Sequence, residues 1–347
     1  METNSRADEF PIHKARKLIM HLARPNPTVY WFDYLLSVSV GWAAFVFVLV
    51  PEVPTALRLV LGIISAFTLY RSTIFIHELT HLKRGTFKAF RIVWNLLSGF
   101  PMMLPSFVYK GVHTEHHVKS IYGTSEDGEY WPFIHTKRFQ IVGFPAISLI
   151  LPFYFAFRFI VLTPVILVSR RLRAFTWSWI SSLAIIAKYR RPLPDTPKER
   201  ANWVMQEWCA GLYGAAVIVL VLLQVIPAAT LALWYGISAF AFFLNAFRTL
   251  VAHSYRNKGD RHMSESEQLL DSANVTSRLA GLWAPVGLRY HATHHLFMLM
   301  PYHQLGKAHK TLMRELPPDS LYHETLRSSL IGALGRLWRE AGAAKQA

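Results

Sequence analysis

Cysteine is almost absent from this sequence: among 347 residues only Cys209 occurs, set inside an apolar run. One cysteine forms no intramolecular disulfide and cannot build a thiolate metal site alone. Any metal held here must take histidine, carboxylate or water. Acidic residues are also scarce, with 21 Asp and Glu against 37 Lys and Arg and a formal net charge of +16. That balance would suit a nucleic-acid binder if the cations shared a face. They do not. They flank apolar segments, as in Lys83-Arg84, Arg170-Arg171 and Arg190-Arg191, which is the pattern of a chain bordering a membrane surface. Nucleic acid is therefore not an expected partner. Residues 1–26 are polar and basic with no apolar centre, so no cleavable signal pattern is present. Internal repeats, low-complexity tracts and long flexible linkers are missing as well, and residues 1–347 read as a single domain.

What the chain has in abundance is apolar surface. It is 52% hydrophobic and 14% aromatic, with a mean hydropathy of +0.23, too apolar for an ordinary soluble domain. Segments 31–50, 56–76, 211–226 and 229–250 can each cross about 30 Å of hydrocarbon. They pair into two hairpins, turning at Pro51-Glu52-Val53-Pro54 and at Pro227, and neither turn carries Lys or Arg. The flanks outside the hairpins do, so both turns are expected to face out and the remainder the cytoplasm. The expected fold is all-α and integral to the membrane: four transmembrane helices in two hairpins, with a cytoplasmic helical cap. Residues 251–347 form the cytoplasmic C-terminal region, with amphipathic helices over 303–338.

Segment 139–187 resists this scheme. Its first part, 139–168, is apolar enough to span but carries Pro145, Pro152, Arg158 and Pro164. A single crossing there would invert the second hairpin. An interfacial or re-entrant pair of short helices is expected, with a two-crossing hairpin as the alternative.

Sixteen histidines are unevenly placed. Three clusters stand out: His77-Glu78-Leu79-Thr80-His81, His113-Thr114-Glu115-His116-His117 and His291-Ala292-Thr293-His294-His295. On a helix, residues at i, i+3 and i+4 share a face, so each cluster is expected to aim its imidazoles one way as a partial coordination sphere. A ninth candidate, His253, ends a polar stripe with Asn245 and Thr249 at i, i+4 and i+8 on the fourth span. Nine ligands exceed what one zinc can take. Two metals with four or five ligands each fit the count, and a mostly neutral nitrogen sphere with room for O2 points to iron. The other histidines, His13, His21, His135, His262, His303, His309 and His323, lack the spacing and are expected at the surface.

The boxes HELTH, HTEHH and HATHH resemble those of the membrane fatty acid desaturase and hydroxylase superfamily, and the resemblance runs over nearly the whole chain. The stretch from Gly123 to Tyr130, His294-His295-Leu296-Phe297 with Pro301-Tyr302-His303, and Asn245 to His253 with Gln268 to Ser272 are similar to bacterial acyl desaturases. The resemblance implies a diiron centre held by His77, His81, His113, His116, His117, His253, His291, His294 and His295. It further implies Asn245 and Asp271 as partners that orient ligand imidazoles, with Glu78 and Glu115 as further supports. Histidine at 253 looks closer to alkane monooxygenases, whereas the HxxHH spacing of the second box favours desaturases. No His-Pro-Gly-Gly sequence marks a fused cytochrome b5 domain. Electrons are therefore expected from a separate ferredoxin, rubredoxin or cytochrome b5 type protein, and a bacterial inner membrane location from the resemblance.

The chemistry expected is oxidation of an unactivated hydrocarbon chain by O2. Acyl desaturation is the first reading. Hydroxylation or ketolation of a fatty, terpenoid or alkane substrate is the alternative, and a histidine-rich metal transporter or sensor the remote one. A transporter would hold polar ligands near the bilayer midplane, whereas these clusters follow the span ends. Substrate-binding residues are not assigned, beyond a channel among the spans near Trp94, Phe100 and Phe243.

Overall fold

The computed structural model describes residues 10–83, 85–166 and 168–343. Arg84, one of the basic residues after the second apolar segment, lies outside them. The described residues are mostly helical, with very little strand. Four helices are long and apolar enough to cross a membrane: α2 (Pro27–Val48), α3 (Thr55–His81), α9 (Pro197–Leu222) and α10 (Ala229–Ala252). Each exposes aliphatic side chains that water would penalise, among them Val46, Leu59, Ile63, Leu222 and Leu231.

Helices α2 and α3 pack along one another after the short turn at Pro51–Pro54. Asn26 starts α2 by accepting from Thr28 N at 3.0 Å, and Pro27 occupies the first helical position. Helix α3 outlasts the second expected span, 56–76. No glycine or proline interrupts Ile76 to His81, so α3 runs on through the first histidine box. The third begins earlier than expected, because Thr196 caps Glu199 N at 3.2 Å and Pro197 opens the helix well before the apolar run.

Between the hairpins lie α4 (Lys88–Trp94), continued by a wide π-type turn at Asn95–Gly99, and α5 (Phe107–His116). Next come α6 (Arg138–Ser148) and α7 (Leu151–Ile166), which meet at a 51° bend, then α8 (Arg170–Trp179). Neither α6 nor α7 alone is of spanning length. α10 packs on α3, α6 and α7, whereas α9 packs mainly on the wide turn of α7 at Phe157–Val161. The arms of the second hairpin thus diverge around α7. Two contacts hold α7 to α9. Arg158, fully buried, pairs with buried Glu207, and Gly211 brings the backbones close enough that a Cβ there would sit 2.6 Å from Phe159 O.

Past α10 a helical cap closes the assembly: α11 (Glu265–Asp271), α12 (Ala280–Trp283), α13 (His291–Leu296), α14 (Tyr302–Glu315) and α15 (Leu330–Ala343). A two-residue parallel pair, β1 (Asn274–Val275) with β2 (Leu326–Arg327), ties it together. The N-terminal helix α1 (Ile12–Ile19) buries Ala15 and Ile19 against Leu305, Ala308 and Leu312 of α14.

Candidate metal centre

The nine box and stripe histidines converge in two adjacent groups. His77, His81, His113, His117 and His294 form one, and His116, His253, His291 and His295 the other. Within each group the ligand-type nitrogens lie within 4.8 Å of one another. The second and third boxes do not aim all their rings one way. In each, the i and i+4 residues go to one group and the i+3 residue to its neighbour. The 100° step between successive residues allows this, because i+3 points to the opposite flank of the i, i+4 pair. The two groups are therefore interlocked by α5 and α13.

Ring nitrogens are crowded at separations that suit a shared cation. Nε2–Nε2 distances are 2.9 Å for His81–His113, 3.2 Å for His113–His117 and 3.1 Å for His117–His294. In the other group they are 3.0 Å for His253–His291 and 3.1 Å for His291–His295. Metal–imidazole bonds of about 2.0–2.1 Å put neighbouring ligand nitrogens about 3 Å apart. Nε2 of His77 and of His116 is buried with no hydrogen-bond partner, an expense that a bound metal removes. Burial, reinforced by neighbouring imidazoles, pushes His113, His117, His291, His294 and His295 well below the usual histidine range. They are neutral, with lone pairs available.

The opposite ring nitrogens of His113, His116 and His253 are held by carboxylates and phenols, whereas Nδ1 of His77, His291 and His294 is buried without a hydrogen-bond partner. His116 Nδ1 sits 2.8 Å from Asp127, a fully buried carboxylate that also accepts from Gly123 N and Glu129 N at 2.9 Å each. Burial alone would lower His116, but Asp127 outweighs it and holds the imidazole above its ordinary value. His113 Nδ1 lies 3.0 Å from Glu129 and 2.9 Å from the Tyr109 hydroxyl. His253 Nδ1 lies 2.9 Å from the Tyr122 hydroxyl, which donates to Asp271 at 3.2 Å. These contacts select the tautomer that turns Nε2 inward. Replacing Asp127 with asparagine is expected to weaken iron binding about 10–100-fold at full expression, read by titrating iron into the purified apoprotein.

The acidic and amide candidates divide. Asp271 reaches His253 through Tyr122. Glu78 lies 3.6 Å from His77 Nδ1 and accepts from Tyr30 and from Tyr302 N. Glu115 instead accepts from Tyr189 at 2.7 Å, and Asn245 accepts from Arg248 at 3.1 Å. Of the remaining histidines, His309 is not at the surface. It is buried with its Nδ1 2.8 Å from the Tyr322 hydroxyl, part of a network through Thr293 and Asn274 that anchors α13. Tyr109, Tyr122, Asp127 and Glu129 were not singled out from the sequence individually. The last two fall inside the Gly123–Tyr130 stretch, whose resemblance was their one signal.

A cavity of about 550 Å³ opens on both groups. His77, His253 and His291 form one end. Apolar walls from Met102, Leu104, Phe155 and Phe242 extend away, and the cavity reaches the surface beside Phe139, Ile147 and Trp179, all exposed. Trp94 and Phe100 are packed in the core instead, and Phe243 meets Phe247 edge to face.

Fold and site together define a polytopic membrane protein with two adjoining histidine groups at the end of an apolar cavity. Residues 53–326 match the family model described as fatty acid desaturase. A ceramide hydroxylase of Caulobacter vibrioides (strain NA1000 / CB15N) is 40% identical over 330 residues, 94% of this chain and 92% of that one. The chain belongs to the fatty acid desaturase family, and is an oxidoreductase of that membrane class.

Proposed function

We propose that this protein is a diiron hydroxylase acting on the hydrocarbon chain of ceramide or a closely related long-chain lipid amide. The observation that carries the reading is near-full-length similarity to a ceramide hydroxylase. It favours hydroxylation, the alternative at the sequence level, over the desaturation first expected from the boxes. The nine histidines are the proposed iron ligands, five in one group and four in the other. When bound, such an iron pair supplies O2 activation strong enough to break an unactivated C–H bond. Overall, R–H, O2, two electrons and two protons give R–OH and H2O. The electrons come from a separate one-electron donor of ferredoxin, rubredoxin or cytochrome b5 type, docking on the side the basic flanks assign to the cytoplasm.

The chain's own residues do the rest. Asp127, Glu129, Tyr109 and Tyr122 fix the imidazoles, the cavity walls exclude water around the hydrocarbon, and the exposed rim at Phe139 and Ile147 admits a lipid sideways from the bilayer. Purified protein with a reducing partner, saturated ceramide and O2 should yield a product heavier by one oxygen atom in mass spectrometry. A product lighter by two hydrogens restores desaturation, and unaltered ceramide with iron loaded removes this substrate class.

A further inference from the structure

Arg248 and Glu129 are the two Asp, Glu, Lys or Arg side chains that line the cavity among the described residues, and Glu129 is engaged by His113 Nδ1 at 3.0 Å. Arg248 lines the cavity from α10, between Asn245 and Thr249. Its Nε donates to Asn245 Oδ1 at 3.1 Å and one Nη donates to Thr249 Oγ1 at 3.0 Å. Among the described residues no carboxylate forms an ion pair with it, although Arg71, Arg158, Arg261 and Arg336 all have such partners. With Glu129 taken up by His113 and no carboxylate in direct contact, the guanidinium keeps donors that an arriving acceptor can meet. Asn245 and Thr249 hold the fork in place, and Asn245 keeps its own amide donor free of that task.

Position along the helix gives the consequence. Residues Ser238, Ala241, Phe242, Asn245, Arg248 and Thr249 lie on one cavity-facing strip of α10, and His253 caps its C-terminal end. At 1.5 Å per residue, Arg248 lies about 6 Å along the axis from Ala252, the last helical residue before His253, and about 15 Å from Ser238. The polar point is near the metal end, and the apolar length lies beyond it.

We infer that Arg248, positioned by Asn245 and Thr249, binds the amide carbonyl and adjoining hydroxyl of a lipid head inside the cavity, and so confines oxidation to carbons a few bonds from that head. A phosphate-bearing head is disfavoured, because Arg248 is the one Arg or Lys lining the cavity among the described residues. Asn245 and Thr249 beside it, with Gln140 and Ser182 elsewhere in the lining, are neutral hydroxyls and amides that match a neutral polar head. The inference rests on the hydroxylase reading for its chemistry, but its binding half stands apart from turnover.

The test uses full-length protein in detergent with three probes of equal chain length: a saturated ceramide, the free fatty acid and the n-alkane. Wild type should prefer ceramide over alkane. Arg248→Gln should raise the ceramide Kd about 10–100-fold, the scale of a lost charge-assisted hydrogen bond, with alkane binding and iron content unchanged. Its residual product should carry the hydroxyl spread over several neighbouring carbons, whereas Arg248→Lys keeps part of the affinity and a narrower spread. Unchanged ceramide affinity and a single unchanged product position in Arg248→Gln overturn the inference. So does tighter binding of the free fatty acid than of ceramide, which assigns Arg248 to a carboxylate. If wild type binds ceramide through Arg248 but leaves it unoxidised, the head site stands and the hydroxylase reading falls.

Discussion

Alanine at His253 is expected to lower bound iron from about two to about one per chain and to remove oxidation to background. The four-membered group keeps only three imidazoles after this change, and no carboxylate belongs to it to make up the loss. Three neutral ligands around one iron leave that site weak, since affinity comes from the summed donors and their orienting partners. The five-membered group shares no ligand with it and should stay loaded. The proposed reaction would use the two irons as a pair held by both groups, so emptying one group is expected to stop turnover. The control is His309→Ala. His309 is equally buried, yet bonds to Tyr322 and belongs to neither group. It should keep both irons while losing some thermal stability. Metal analysis of the two purified variants decides the matter: two irons and full turnover in His253→Ala would take His253 out of the ligand set.

His253 is also where sequence reading worked at its limit. Eight histidines announce themselves by i, i+3, i+4 spacing, but His253 showed only as the end of a polar stripe. The structure divides that stripe along its length. His253 leaves the helix as its C-cap in extended conformation and bridges to Ser272, which is how the loop after α11 meets it. Asn245 and Thr249 instead hold Arg248, whose role no periodicity marks. Span existence was legible because an unbroken apolar run of about twenty residues matches the thickness of a bilayer and little else. Span ends were not. His77 and His81 look polar to a hydropathy reading although α3 continues through them, and Lys198 to Gln206 hide the first turns of α9. The orienting partners Tyr30 and Tyr302 lie far from the boxes in sequence, and only tertiary packing brings them to Glu78. The split of each box between two groups was equally hidden, since a shared helical face still has two flanks.

The second large effect concerns the far end of the cavity. Glu207→Ala is expected to destabilise the protein by about 3–5 kcal/mol, because it strands a buried guanidinium that was paired. Arg158 would keep the neutral contacts to Ser181 Oγ at 2.9 Å, Thr163 Oγ1 at 3.4 Å and the Phe159 ring, but no carboxylate. Replacing both partners, as Arg158→Met with Glu207→Leu, should recover most of that loss, since the pair's attraction is set against the desolvation of both ions. The functional consequence separates this clamp from the metal centre. Arg158 lies one turn from Phe155, which lines the cavity and stacks on Phe242 of α10 at 5.8 Å. Loosening α7 from α9 therefore reshapes the apolar end while leaving the histidine groups, held by α3, α5, α10 and α13, in place. The single variant should retain its iron but lose discrimination between lipid chain lengths. The double variant should regain stability with a shifted length optimum. Thermal unfolding in detergent, iron content and product yield across a series of ceramide chain lengths measure the three effects separately. Loss of iron in step with stability would show instead that α7 supports the metal groups directly, and that the cavity's two ends are mechanically one unit.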